Sequence, residues 1–348
     1  MKLRKILAGL FAGIFVMGAG MMSACSPTED LTVYMPDGAP ALAFAKLLYE
    51  DTEEDGITYK VVAPNLIKTK VTYNDDSKNA DLCVLPLTAA TKLLGMGEKY
   101  QMLGTVTHGN LYLISKDTDT RYALNNISAL QGKTVGVLQL NEVPGLIFKT
   151  VLSKAGVAYQ ENGEPSADKV NLIPITGAQD VGAMDGVDLF LLAEPAATIQ
   201  MDKDFEIVGD VQAMYGGENG YPQAVLVAKR AVIEKQWKKV SSILSGLEES
   251  DEWILDNEPT NLVFHLDGGL KAIFSHLEDE TYSSSWLVFM SATYHKWGIY
   301  KMDIIARCSA WYQSSADSVT DVKAFLTAAQ AVNANMATMP SDNFFYGI

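Results

Sequence analysis

The segment LTVYMPDGAPALAFAKLLYE, residues 31–50, decides the fold because it begins as a strand and ends as a helix. Residues 31–35 form a short apolar run, and residues 40–50 repeat apolar side chains at helical spacing. Pro40 suits the first turn of a helix, where its missing N–H would be unpaired anyway, and Gly38 lets the backbone approach another group closely. The segment therefore predicts a βα unit whose helix start presents backbone amides with partial positive charge.

The same strand-to-helix pattern recurs along the chain. Five further apolar runs are too short for helices and predict buried strands: TYKVVA, DLCVLPL, KTVGVLQL, VNLIPIT and VDLFLLAEP. Helical spacing follows most of them, at residues 88–97, 144–156 and 178–186. A second strand runs into a proline-started helix at residues 141–145, and helical patterns dominate after about residue 230. This alternation predicts an α/β architecture with mainly parallel sheets.

The first 24 residues predict a secretory signal, because a basic run precedes a short apolar stretch and small residues. The following MSAC, residues 22–25, is similar to a bacterial lipobox, in which Cys25 carries the lipid and becomes the first mature residue. Acyl chains on one residue anchor a protein without spanning the membrane. We expect an extracytoplasmic lipoprotein anchored to the bacterial cell membrane. The alternative is an ordinary cleaved signal with a chance cysteine.

Composition limits the partners of the protein. Hydrophobic residues make up 48% of 348 residues, enough for a sizeable core and two domains or lobes. The formal charge is −15, and it becomes −18 without the signal, which disfavours nucleic acid and anionic lipid surfaces. Two cysteines remain besides Cys25. Cys83 lies in an apolar strand pattern, as expected for a buried free thiol, and a bridge to Cys308 is the alternative.

The motifs of common enzymes and metal sites are missing from the sequence. Gly132-Lys133-Thr134 looks like the end of a phosphate loop, but Ile127 stands where that loop requires glycine. There is no G-x-S-x-G nucleophile elbow. The four histidines lie singly, outside any zinc motif: His108, His265, His276 and His295. We therefore expect no enzyme activity, no cofactor and no metal, and leave open whether His108 is structural or touches a ligand.

Five segments resemble those of a known family, and the resemblance lies in their order and spacing. They are VYMPDGAPALAFAKLL, ADLCVLPLTAATKLLGMGEKYQMLGTVTHGNLYLISK, LQGKTVGVLQLNEVPGLIFKTVL, AQDVGAMDGVDLFLLAEPAAT and YPQAVLVAKR. Through them the chain resembles the solute-binding lipoproteins of ABC importers, in the nitrate, sulfonate, taurine and thiamine-pyrimidine branch. The resemblance runs from residue 31 to about residue 230 and weakly to the end. Residues 281–300 depart from the pattern.

The resemblance implies a two-lobed type II periplasmic-binding-protein fold, each lobe a mainly parallel sheet flanked by helices. Lobe one would take residues 31–115 and 222–348, and lobe two residues 116–221. The two crossover strands would lie near residues 109–116 and 221–229. Such a protein, acting as a monomer, captures a small molecule in the cleft and delivers it to an ABC permease with its ATPase. A ligand-sensing or adhesive lipoprotein and an exported enzyme on the same fold are the alternatives.

The expected ligand-binding residues sit where strands end, because ligands of open α/β sheets bind outside the carboxyl ends of the strands. They are Asp37, Gly38, Ala39, Pro40, Thr88, Thr107, Asn110, Asn141, Glu142, Val143, Glu194 and Tyr221. Two of these have a second interpretation. Tyr221 would otherwise pack the hinge, and Glu194 would otherwise cap a neighbouring backbone.

The chemistry of the two proline turns bears on the ligand class. Neither turn contains arginine or lysine, and each contains an acidic residue, Asp37 or Glu142. An uncompensated carboxylate in a dry cleft is costly, which favours a neutral or cationic heteroaromatic ligand such as a pyrimidine over a sulfonate. The alternative is that both carboxylates cap their own helices and face solvent, which leaves the amides for an anion.

Overall fold

Two six-stranded sheets form the framework of the computed structural model, which describes residues 30–50, 55–119, 126–177, 180–217, 219–255, 306–335 and 337–348. The first sheet holds, in spatial order, β12 (Gln313–Ser314), β4 (Tyr100–Thr107), β11 (Ala224–Lys229), β3 (Leu82–Pro86), β1 (Leu31–Pro36) and β2 (Ile57–Val62). The second holds β10 (Glu206–Asp210), β5 (Leu111–Ser115), β9 (Leu189–Ala193), β6 (Thr134–Leu138), β8 (Val170–Ile175) and β7 (Tyr159–Glu161).

Helices follow most of the strands, as the alternating pattern predicts. They are α1 (Ala39–Leu42), α2 (Ala45–Glu50), α3 (Leu87–Leu94), α4 (Val143–Lys154), α5 (Ala196–Ile199), α6 (Val211–Tyr215), α7 (Arg230–Lys235), α8 (Trp237–Leu255) and α9 (Ser315–Val332). Short 3-10 helices cover Ile67–Val71, Asp76–Lys78, Ile127–Leu130, Gln200–Lys203 and Asp342–Phe344. Within the described part of the chain, no helix has the length and hydropathy that crossing a membrane requires.

The predicted two-sheet α/β fold is confirmed, and each sheet is mixed. β1 pairs in parallel with β2 and β3, and β6 pairs in parallel with β8 and β9. β11 runs antiparallel to β3 and β4, and β5 runs antiparallel to β9. The chain enters β5 and β11 directly from the other sheet. No covering helix leads into either strand, so neither takes the parallel direction of a βαβ unit.

Within the described residues, the chain passes between the sheets in residues 108–110 and in residues 216–223. The predicted lobe one included residues 111–115, but these form β5, which pairs with β9 in the second sheet. The predicted bounds, 31–115 and 222–348 for lobe one and 116–221 for lobe two, stay a prediction, and we propose one change to them, which moves β5 to lobe two. The predicted signal peptide 1–24, Cys25 and residues 281–300 lie outside the described residues.

One predicted helix is absent from the residues that the structure describes. Residue 180 has 3-10 conformation, residues 181–186 form turns and a bend, and residues 178–179 are not described. Gly182 and Gly186 have φ angles of 77° and 76°, in the left-handed region, where a right-handed helix cannot continue. These two glycines therefore prevent the helix that the apolar spacing of residues 178–186 predicted.

The hydrophobic core is continuous between the two sheets. One cluster joins Leu85 of the first sheet, Val137 of the second, Phe148 of α4 and Phe325 of α9. Helix α9 packs against both β4 and α4. Burying a side chain of this size stabilises by about 1.5–3 kcal/mol, so α9 contributes to holding the two halves together.

Both described cysteines are free thiols. Cys83 and Cys308 are buried and unbridged, which confirms the interpretation of Cys83 as a buried thiol and rules out the alternative bridge. Burial raises the pKa of both thiols well above the ordinary value. In apolar surroundings the thiolate is disfavoured, so neither group is a reactive nucleophile.

Candidate ligand-binding site

A cavity of about 550 Å³ opens between the two sheets, within the size range of small-molecule sites. It lies at the carboxyl ends of four strands, because its wall includes the last residues of β1, β3, β6 and β9. The lining residues are Pro36, Asp37, Gly38, Ala39, Pro40, Pro64, Ile67, Pro86, Asn110, Leu138, Gln139, Val143, Pro144, Ala193, Glu194, Pro195, Ala196, Ile199, Gln200, Lys203, Gln223 and Ala224. The position agrees with the rule for ligands of open α/β sheets.

The wall is apolar and rich in proline. Six prolines line it, and no aromatic side chain does so among the described residues. Proline has a fixed φ, so these segments are stiff and lose little conformational freedom when a ligand binds. The wall therefore offers flat, preorganised apolar surface to a ligand.

The first proline turn lies in the wall as expected, and all four of its predicted residues line the cavity: Asp37, Gly38, Ala39 and Pro40. Gly38 has a φ of 95°, where a side chain would be strained. Oδ1 of the buried Asp37 accepts a hydrogen bond from the Gly38 amide at 2.6 Å. One amide of the turn is therefore already bound within the protein. Asp37 is buried and α1 has no side-chain cap bond, which differs from the alternative that Asp37 caps its helix and faces solvent.

The second proline turn contributes less than expected. Val143 lines the cavity, but Asn141 is exposed and does not. Glu142 also lies off the wall, because its carboxylate pairs with Lys68 Nζ at 2.6 Å. A Cβ at Gly145 would overlap the carbonyl of Leu140, so that glycine is required by the close approach of the preceding loop.

The first crossover supplies Asn110, which lines the cavity and is only 2% exposed. Its backbone carbonyl accepts a hydrogen bond from the Glu194 amide at 2.9 Å, and its side-chain nitrogen lies 3.5 Å from the Glu194 carbonyl oxygen. Its side-chain oxygen, Oδ1, is buried without a hydrogen-bond partner. Asn110 therefore contributes to the wall, but this oxygen has almost no accessible surface and does not face the open cavity.

Gln223 and Gln200 repeat this feature on other parts of the wall. The backbone of Gln223 bridges β4 and α3, since its amide bonds to the Thr107 carbonyl and its carbonyl accepts from the Leu87 amide, both at 2.9 Å. Its side-chain Oε1 is buried without a partner, as is Oε1 of Gln200, a residue 2% exposed. Three residues of the wall thus contain a side-chain oxygen without a partner in the described structure, and each of these oxygens has almost no accessible surface.

Glu194 lines the cavity, but its charge is compensated from behind. The carboxylate accepts from Arg307 Nε at 2.7 Å, from the Thr198 hydroxyl at 2.7 Å and from the Thr198 amide at 3.0 Å. Arg307 also donates to the Thr198 hydroxyl at 3.0 Å. Glu194 thus caps α5 through Thr198, which is the second interpretation that the sequence gave for this residue. Its carboxylate is compensated and does not face a ligand as an unpaired charge.

Three predicted residues are buried away from the wall. Thr88 and Thr107 do not line the cavity, and their hydroxyl oxygens have no partner in the described structure. Tyr221 donates its hydroxyl proton to Gln212 Oε1 at 2.9 Å and packs edge-on against Tyr215. Tyr221 therefore packs the second crossover and offers no ring to a ligand.

His108 is held by packing and does not line the cavity. Its ring stacks on Trp311 with centroids 3.6 Å apart, and Nε2 lies 3.3 Å from Gln313 Oε1. Burial lowers the pKa of His108 to about 4, so the ring is neutral near pH 7. The geometry is that of a structural histidine. Among the described residues, no group of three or more His, Cys, Asp or Glu side chains could hold a metal ion.

Several wall residues were missed by the sequence reasoning. Gln223 lies inside the predicted return crossover, so position alone would have indicated it. Gln139, Gln200 and Lys203 belong to no motif, and Lys203 is exposed. Arg307, more than a hundred residues from Glu194 along the chain, gave no local signal for the ion pair.

Comparison with solved structures defines the class. An ABC transporter structure from Parabacteroides distasonis matches with a TM-score of 0.63 and 18% identity, covering 91% of this chain and 98% of that chain. The alkanesulfonate-binding protein of Xanthomonas axonopodis pv. citri bound to MOPS matches with a TM-score of 0.56 and 16% identity, covering 90% and 95%. The ligand-binding component of an ABC-type import system from Staphylococcus aureus, solved with zinc bound, matches with a TM-score of 0.54 and 11% identity, covering 91% and 96%. The fold is that of the type II periplasmic binding proteins.

The family follows from the sequence itself. A family model described as NMT1/THI5 like matches residues 53–260. The chain belongs to this NMT1/THI5-like family. No curated protein matches the chain.

Proposed function

We propose that this protein captures a small molecule in the cavity between its two lobes and delivers it to an ABC import permease. The observation that carries the proposal is the apolar, proline-lined cavity of about 550 Å³ between the two sheets. Its size and its position at the carboxyl ends of strands are typical of small-molecule sites in α/β proteins. The ABC transporter structure and the ligand-binding component of an ABC-type import system among its structural relatives support the role in transport.

The proposed location follows from the N-terminal pattern. Cleavage before Cys25 and lipidation of that residue would hold the protein outside the cytoplasmic membrane, beside the permease. Mass spectrometry of the purified mature protein measures this, because a diacylglycerol group adds a known mass to the Cys25 peptide. An unmodified N-terminus at another residue would contradict the anchor and leave the binding function untouched.

The proposed mechanism is closure of the two lobes on the ligand. The wall takes one side from the first sheet and the other from the second, so only a closed form contacts the ligand on both sides at once. Small-angle scattering should show a smaller radius of gyration at ligand saturation. An unchanged curve would refute closure.

A thermal-shift screen tests the binding function. The panel contains pyrimidines, amines, amino acids, sulfonates and nitrate, and the proposal predicts that at least one compound raises the melting temperature. Ala196 lines the cavity, so Ala196→Trp fills it and should abolish the shift. Ala331→Trp, at an exposed site on α9, is the matched control and should keep it.

Two further measurements separate import from other roles. The bound compound should be recovered chemically unchanged, whereas an exported enzyme on the same fold would convert it. A strain of the source bacterium that lacks the gene should lose uptake of the radiolabelled compound. Normal uptake with a lost transcriptional response would favour ligand sensing instead.

A further inference from the structure

We infer that the ion pair between Lys68 and Glu142 is a latch on one side of the cavity, and that the lobes separate on this side to admit and release a ligand. This inference rests on the proposed binding function and concerns the regulation of the same cavity. It gives Glu142 a role other than the ligand contact that the sequence predicted.

The pair spans an opening in the cavity wall, which we call the mouth. Ile67 lines the cavity from the 3-10 helix that packs against β1 and β3, and Val143 lines it from the start of α4. Lys68 and Glu142 are the chain neighbours of these two wall residues, and Lys68 Nζ lies 2.6 Å from Glu142 Oε1. Their side chains are 41% and 39% exposed, so the pair lies at the boundary between the cavity wall and solvent.

The latch exists only while the lobes are together. Lys68 lies beside the first sheet and Glu142 beside the second, so separation of the lobes pulls the two charges apart and returns both to water. An ion pair of this exposure shifts an equilibrium by about 2–5-fold. The contact is therefore strong enough to favour the closed arrangement and weak enough to break at each opening.

Other contacts between the lobes are harder to break. Arg307 lies in the segment that leads into β12 of the first sheet, and it pairs with Glu194 of the second lobe, whose side chain is fully buried. Helix α9 packs against both β4 and α4, and its Phe325 is buried in the core that the two sheets share. Separation at these contacts exposes a buried charge or apolar surface, whereas separation at the mouth costs a half-exposed ion pair. The cavity therefore opens more readily at the mouth than at these contacts.

Salt distinguishes the latch from the apolar contacts. The screening length falls from about 10 Å at 0.1 M salt to about 3 Å at 1 M, which weakens an exposed ion pair. Screening does not weaken the apolar packing of α9. High salt should therefore open the mouth without separating the lobes elsewhere.

Opening is measured by the reaction rate of a thiol introduced into the cavity wall. Ala196→Cys places it there, in a chain in which Cys25 is replaced by serine and the other two cysteines are buried. The reagent is a maleimide on a long polyethylene glycol chain, which is uncharged and too large for a cavity of about 550 Å³. Its reaction with the wall thiol reports the population of the open form. Ala331→Cys, at an exposed site on α9, provides the control thiol.

The variants test the pair itself. At low salt, Lys68→Met should raise the rate at the wall thiol about 2–5-fold. Sodium chloride at about 1 M should raise the parent rate to a similar value and leave the Lys68→Met rate nearly unchanged. Lys68→Glu should raise the rate at least as much as Lys68→Met, and adding Glu142→Lys should return it to within about 1.5-fold of the parent.

The matched control is Lys99→Met. Lys99 pairs with Asp76 at 2.8 Å, and this pair is also exposed, but both partners precede β4 on the same lobe. Its loss should leave the rate at the wall thiol unchanged. The inference is overturned if Lys68→Met reacts no faster than Lys99→Met, or if the charge-swapped chain reacts as fast as Lys68→Glu. An equal rate increase at the Ala331→Cys thiol would also overturn it, because that site does not face the mouth.

Failure of the latch is distinguishable from failure of the proposed function. Unchanged rates, together with a screened compound whose binding Ala196→Trp abolishes, would reject the latch and keep ligand capture. Rates that follow the Lys68 substitutions and salt, with no screened compound bound, would keep the latch and reject capture.

Discussion

Replacing Arg307 with methionine should destabilise the protein strongly, because it strips the counter-charge from a buried carboxylate in the cavity wall. The side chain of Glu194 is fully buried, and that of Arg307 is 27% exposed. Removing one partner of a buried ion pair costs about 3–5 kcal/mol. Thr198 keeps two hydrogen bonds to the carboxylate and Arg307 is partly hydrated, so we expect the lower end, about 3 kcal/mol.

Urea unfolding followed by tryptophan fluorescence measures this loss. With a denaturant slope of about 3 kcal/mol per molar, about 3 kcal/mol lowers the midpoint by about 1 M. The double variant Arg307→Met/Glu194→Gln removes the charge as well and should recover most of the loss. A midpoint within about 0.2 M of the parent for Arg307→Met, or a double variant no more stable than the single one, would refute the reasoning.

Three further predictions concern the crossing contacts, the buried histidine and the thiols. The Lys68–Glu142 pair joins the two halves across the cavity mouth, and Lys68→Glu should lower the stability by about 0.2–1 kcal/mol. Adding Glu142→Lys in the same chain should restore the loss in low-salt melts. Equal midpoints for the single and the double variant would contradict this. Because the pKa of His108 is lowered to about 4 from 6.5, the unfolded chain takes up its proton first, so stability should fall by up to about 3 kcal/mol as pH drops from 6.5 to 4. His108→Asn should flatten this part of the pH profile, and an identical slope would exclude the histidine as its source. With Cys25 replaced by serine, Cys83 and Cys308 should resist a thiol reagent in the native state and both react in urea; one rapidly reacting native thiol would contradict their burial.

The fold was predictable because its signals are local and repeated. Runs such as LTVYM and DLCVLPL became β1 and β3, and the proline turns became helix starts, since strand length, apolar content and proline geometry act within a few residues. The direction of β5 and β11 was harder to infer. It depends on which sheet each crossover strand joins, which is a property of distant segments and not of the strand itself.

The site was only partly predictable, for a related reason. The turn at Asp37 and the crossover at Asn110 lie where strand ends converge, so topology brings them to the wall. Glu142 and Tyr221 satisfy the same positional rule but are turned aside by Lys68 and Gln212. Such partners come from other parts of the chain, and no spacing in the sequence reveals them.

The central claim is that the cavity between the two sheets binds a small molecule, and a crystal structure of the complex with the tightest binder tests it most directly. The account predicts a ligand between the two sheets, in contact with wall residues of both, such as Pro36 and Ala193. A ligand bound elsewhere on the protein would contradict it.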